Sequence, residues 1–174
     1  MQESNTQTNN PLEPVPEPEP EPISVDVAFH HSIAISESDI RKVVLAVVQD
    51  YKWTHGEISV AVVDDPTIHK LNREYLQHDY ATDVLSFVLE SNSDSGLLSG
   101  EIIVSADTAA HAASENNVST EAELMLYIIH GALHLAGLND KDEANRKIMR
   151  AAERLYTNKF GIEYSPPAPP GGDE

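Results

Sequence analysis

The segment "HGALHLAGLND", from His130 to Asp140, places two imidazoles four residues apart in an apolar stretch and follows them with a glycine and an acid. On a helix, residues four apart lie about 40° apart around the axis and one turn apart along it, so both rings can reach a single ion. Gly137 allows the chain to reverse at once, which brings Asn139 or Asp140 back over that face as a third ligand. Two neutral nitrogens and a carboxylate suit a divalent cation, Zn²⁺ first, with Fe²⁺ or Ni²⁺ as alternatives, and leave positions open for water. The competing reading is a pair of buried core histidines satisfied by other partners. The residue after the first histidine is Gly131, where zinc proteases carry their glutamate base, so ordinary peptide hydrolysis lacks its general base. A glycine there also lets a substrate or another backbone approach closely.

Composition narrows the chemistry. The 174 residues include no cysteine, which excludes disulfides and thiolate ligands. There are 29 acidic residues against 11 basic ones, and removing seven acids in the terminal tails still leaves a twofold excess of negative charge. Bulk negative charge opposes binding to a phosphate backbone, so any contact with RNA has to be local to a basic patch or mediated by a partner. The amino terminus lacks a basic, then apolar, signal pattern, and the most apolar segment is too short and too polar to cross a bilayer. The expected location is the cytoplasm, with no membrane partner.

The elements that must hold these histidines can be read from periodicity. The proline- and glutamate-rich residues 1–22 and the "SPPAPPGGDE" ending read as disordered tails, the second from 164 to 174, around one domain at 23–163. "VDVAFH" and "SIAI" read as a first strand region. "SESDIRKVVLAVVQDY" is an amphipathic helix, with Ser36 and Asp39 at capping-box spacing. "EISVAVV" is a strand, and Asp65 with Pro66 reads as the N-cap and first residue of the next helix. "DVLSFVLE" and "GEIIVSA" are two further strands. Three helical patterns follow, and the middle one opens with Thr120 and Glu123 at capping-box spacing and closes at Gly137. The order β-α-β-α-β-β-α-α-α predicts an α/β (α+β) domain with a small mixed four-stranded sheet covered by about five helices.

The residues also carry a resemblance. "HGALHLAGLND" resembles the HGxLHLxGxDH signature of the YbeY family, metal-dependent endoribonucleases of ribosomal RNA maturation in which this motif supplies three histidine ligands. "LNREYLQHDYATDVLSF", from Leu71 to Phe87, resembles the family's LNxxYRxxDxxTDVLSF segment, and "GEIIVSADTA" its GDIxIS strand. The matches follow the family's order across nearly all of 23–163. The resemblance implies that His130, His134 and Asp140 bind one divalent ion, Zn²⁺ foremost, and that the chain is a single-strand-specific endonuclease in ribosomal RNA maturation and ribosome quality control. It implies ribosomal RNA and ribosomal or ribosome-associated proteins as partners, with no DNA expected. Two departures stand out: Asp140 replaces a histidine ligand, and Leu76 occupies the position of an arginine implicated in catalysis. Arg73, one turn earlier, is the substitute cation that the sequence suggests, with Lys70 beside it. Without one, the alternative is a ribosome-assembly binding protein with a structural metal and weak or lost catalysis. Of the neighbouring residues, Val84, Leu85 and Phe87 read as core strand, and Asp79, Thr82 and Asp83 as turn residues. His78 either lines the cleft or is solvated on its loop, and His30, His31, His55, His69 and His111 read as surface or structural.

Overall fold

A computed structural model describes residues 18–164. The elements in chain order are β1 (Ser24–Phe29), α1 (Glu37–Asp50), β2 (Glu57–Val63), α2 (Asp65–Leu76), β3 (Val84–Asn92), β4 (Leu97–Ser105), α3 (Ala106–Asn116), α4 (Thr120–Leu135) and α5 (Glu143–Phe160). The strands form one mixed sheet in the order β1-β2-β4-β3, giving the expected α/β domain. β2 pairs in parallel with β1 and β4, and β3 runs antiparallel on the outer side of β4, with a register shift between Val88 and Glu90. No described helix is long and apolar enough to cross a membrane. The two tails called from the sequence lie largely outside the described residues. At the inner edges, Pro22 bridges His55, and Tyr164 docks on α5 through a hydrogen bond to Glu153.

The faces of the sheet differ in their cover. On one, the α1 stripe Ile40, Val43, Val44, Val47 and Val48 and the helix α4 bury Ile58, Val60, Val62, Ile102 and Val104. On the other, Val63, Ile68 and Leu85 make a small separate cluster under α2. Twelve of the sixteen residues of α4 are buried, which accounts for its nearly continuous apolar sequence. Gly131 lets this helix lie close to the sheet: a Cβ there would sit 2.8 Å from Ile102 Cγ2 and 3.1 Å from both Ser86 Oγ and Val84 Cγ2. The space freed by this glycine is therefore filled by the sheet and is not left for a substrate.

Several helix starts differ from the sequence expectation. Ser36 precedes α1 without a side-chain capping bond. Asp64, one residue earlier than expected, caps α2 by accepting from the Thr67 amide at 2.9 Å, which shifts Pro66 into the first turn. For α4 the cap is Ser119, whose Oγ accepts from the Ala122 amide at 3.1 Å, and Glu123 turns inward instead of closing a capping box. "SIAI" forms no strand, because its apolar residues Ile33 and Ile35 pack on the core without a ladder partner. The Ser119→Ala variant is expected to lose about 1 kcal/mol of stability, the usual loss on removing such a cap. That corresponds to a fall of about 2–4 °C in melting temperature for a domain of this size. An unchanged thermal melt would show that α4 does not depend on this bond.

Candidate metal centre

His130 and His134 occupy the last turns of α4 and project from one face. Their rings meet edge to face, with centroids 4.5 Å apart and planes at 83°. The two Nε2 atoms point at each other across 2.9 Å. Each outer nitrogen is engaged by a different part of the fold. His130 Nδ1 donates to Glu153 Oε1 of α5 at 2.7 Å, and His134 Nδ1 donates to the Leu138 carbonyl at 3.0 Å. These partners define the tautomer, since neither a carboxylate nor a carbonyl can donate back.

The chain after α4 completes the group. Gly137, at φ +112°, reverses it, while the Gly137 and Leu138 amides bond back to the His134 and Leu133 carbonyls. Trp53 Nε1 donates to the Ala136 carbonyl and holds this end of the helix. The turn returns Asp140, whose carboxylate oxygens lie 3.7 Å from His130 Nε2 and 3.9 Å from His134 Nε2. Arg146 of α5 steadies the loop by donating to the Asp140 carbonyl. Thus His130, His134 and Asp140, named from the sequence, do come together: one ligand atom from each lies within 4.8 Å of the others.

These residues fit a divalent cation. With bonds of about 2.0–2.1 Å, ligands around a tetrahedral zinc stand about 3.3 Å apart, so the two Nε2 atoms need to open only slightly. Outer nitrogens held by a carboxylate and a carbonyl are the arrangement found around ligating histidines. Electrostatics point the same way. At His130, burial acts to lower the pKa but is outweighed by the bond to Glu153 and its charge, with help from Asp83 and Asp140, so the value lies above that of ordinary histidine. At His134, burial and the neighbouring His130 lower it. The two rings are thus pushed in opposite directions, with the acidic groups gathered where a cation could sit.

Beside the histidines is a cleft of about 390 Å³ lined by Leu76, Asp83, Val84, Leu85, Ser86, His130 and His134. A larger groove of about 490 Å³, bordered by Ser36, Ser119 and Met125, holds no histidine and lies apart from the centre. In the cleft wall, Ser86 Oγ is buried without a hydrogen-bond partner. Asp83 is a turn residue, accepting from the Val84 amide, yet it also faces the cleft. Leu76 lines the cleft, whereas Arg73 is exposed and is not part of its wall. His78 resolves to the loop, stacked on Tyr80 with centroids 5.5 Å apart. Asp79 bonds to His69, and the Asn72 side chain donates to the Tyr80 carbonyl to hold this loop to α2. Further along the α4 stripe, Glu123 is 5% exposed with Oε2 unpartnered, and burial, together with Asp83, raises its pKa.

Sequence reasoning missed Glu153, 3% exposed and the direct partner of His130. Its signal was position: it falls among Met149, Ala152, Tyr156 and Thr157 on the buried face of α5.

The family described as Endoribonuclease YbeY matches residues 27–161. Relatives bearing that name include a protein from Rhodopirellula baltica, 44% identical over 110 residues, which are 62% of this chain and 56% of that protein. One from Syntrophotalea carbinolica is 38% identical over 68% of this chain and 84% of its own. One from Salinibacter ruber is 38% identical over 74% and 86%. Among solved structures, the solution structure of a Thermotoga maritima protein, 24% identical, covers 84% of this chain and 100% of its own with a TM-score of 0.56, a likeness of fold.

Proposed function

The chain belongs to the YbeY endoribonuclease family, and from this premise we propose that it cleaves single-stranded RNA in a metal-dependent reaction, serving ribosomal RNA maturation and ribosome quality control in the cytoplasm. The observation that carries the reading is the convergence of both Nε2 atoms and the Asp140 carboxylate, with Glu153 and the Leu138 carbonyl fixing the outer nitrogens. His130, His134 and Asp140 would hold one divalent ion, Zn²⁺ foremost. A cation there would supply Lewis-acid polarisation of a phosphoryl oxygen.

The chain's own residues do the remaining work. Glu153 orients the His130 ring and, with Asp140, makes the ligand set more negative than three imidazoles would be. Leu76 and Val84 give the cleft apolar side chains beside the histidines. Ser86 Oγ, buried against Gly131 of α4, belongs to the seam between helix and sheet and is covered from the substrate side. Ribosomal RNA and ribosomal proteins are the partners in this reading, since the acidic surface disfavours naked RNA.

The test is cleavage of end-labelled single-stranded and duplex oligoribonucleotides by metal-loaded protein. Cleavage of the single strand alone, stopped by a chelator and restored by Zn²⁺, is expected. Cleavage that a chelator leaves unchanged would overturn the proposal. One observation favours a second reading, a binding protein with a structural ion: Leu76 presents no charge to the cleft. In that case chelation would melt the fold and no cleavage would precede it.

A further inference from the structure

The scarce bases are not spread evenly over this acidic chain. Five of the 11, Arg146, Lys147, Arg150, Arg154 and Lys159, lie on α5. Its two acids do not offset them equally: Glu143 pairs with Lys147 at 2.9 Å, and Glu153 is turned inward to His130. Arg146, Arg150 and Arg154 stand on successive turns, about 6 Å apart along the axis and drifting by about 40° per step. They therefore make one continuous flank. Among the described residues, none of the three forms an ion pair with a carboxylate, whereas Arg41, Lys42 and Lys70 each pair with an acid on their own helix.

The position of this flank gives it meaning. Glu153 lies next to it around the helix, so the arginines border the side of α5 that reaches the histidines. At its near end Arg146 already touches the loop that carries Asp140, 3.3 Å from that carbonyl. At its far end the Arg154 guanidinium lies over the Tyr164 ring, 5.4 Å from the centroid. Guanidinium groups bind phosphates through a planar fork of donors, and a spacing of one helical turn suits successive phosphates of an extended strand.

We propose that the Arg146–Arg150–Arg154 flank of α5 is the track on which the phosphates of a single RNA strand are held as the strand enters the metal centre. The proposal rests on the endoribonuclease reading above. It places the substrate-binding cations across the histidines from Leu76, and it assigns them to α5 in place of Arg73 and Lys70. The acidic remainder of the surface then helps by leaving an anionic strand one favourable approach.

The test is the salt dependence of binding, measured by fluorescence anisotropy with the metal-loaded full chain and a labelled 2′-O-methyl oligoribonucleotide, which resists cleavage. Each phosphate contact on a single strand contributes a slope of about −0.7 in log K against log salt. The double variant Arg150→Ala/Arg154→Ala should flatten the wild-type slope by about 1.4. The double lysine variant should keep it, and Arg73→Ala should leave it unchanged. Circular dichroism and metal content report whether each variant is folded. A double alanine variant with the wild-type slope, a slope lost with Arg73→Ala alone, or no RNA binding by the wild type would overturn the track. Cleavage assays on the same proteins separate the two ideas: metal-dependent cleavage with an arginine-independent slope overturns the track alone. An arginine-dependent slope without cleavage by the wild type upholds the track and overturns the enzyme reading.

Discussion

The His130→Ala variant is expected to purify without a bound ion and to lose RNA cleavage by well over a hundredfold. His130 makes two of the bonds that define the centre: its Nε2 faces His134, and its Nδ1 holds Glu153. Removing the ring leaves one imidazole and a half-exposed carboxylate, too few ligands to keep a divalent ion against water, and it leaves the buried Glu153 with the Tyr164 hydroxyl alone in place of its histidine. The loss should therefore exceed the 10–100-fold effect typical of groups one bond removed from a metal. Elemental analysis of protein purified without chelator, alongside cleavage rates, checks this. A variant that retains one equivalent of metal would show that the ion sits elsewhere.

Glu153→Gln is expected to weaken metal binding about 10–100-fold while the fold survives. Glutamine keeps the shape and an oxygen for His130 Nδ1 but removes the charge that raises the basicity of the ring. Because Glu153 is 3% exposed, losing a buried charge should not harm the metal-free protein. The variant carries a second signature, in proton binding. In the wild type, the His130 pKa lies above the ordinary value of 6.5, so a cation must displace a proton up to and beyond that pH, and affinity should rise as pH rises through this range. Without the glutamate, burial dominates, and the rise should move to lower pH. Competition with a chromophoric chelator across a pH series measures both effects; an unchanged affinity and an unchanged profile would remove Glu153 from the centre.

The parts of this site legible in the sequence are those encoded locally. The i, i+4 pair fixes a shared helix face, and the glycine at 137 supplies the positive φ that returns Asp140, so three residues within one turn and a loop could be named together. The helices were legible because their apolar stripes repeat at helical spacing, while their first residues were not. At α4, Ser119 and Thr120 offer equivalent hydroxyls, and only the packed helix axis decides which one caps. Strand order was also beyond reach, since whether β3 lies outside β4 depends on how α4 covers the sheet. Glu153 stayed hidden because a glutamate in a charged helix reads as solvated; its role exists only once α5 crosses α4. The same holds for the arginine flank, whose residues look like ordinary surface charge until Arg146 is seen against the Asp140 loop.

The sequence separation of the centre has a kinetic consequence. His130 and Glu153 are 23 residues apart, and both histidines and Asp140 lie within that span. Closing so short a loop carries little entropic cost, so the turn of the α4–α5 hairpin, from 136 to 146, can open and reclose while α4, buried along most of its length, stays on the sheet. An ion bound across it acts as a clasp on that hairpin. Amide hydrogen exchange from about 136 to 146 should slow when metal is added, with little change in β2 and β4. Equal slowing throughout the sheet would mean that the hairpin and the sheet open as a single unit.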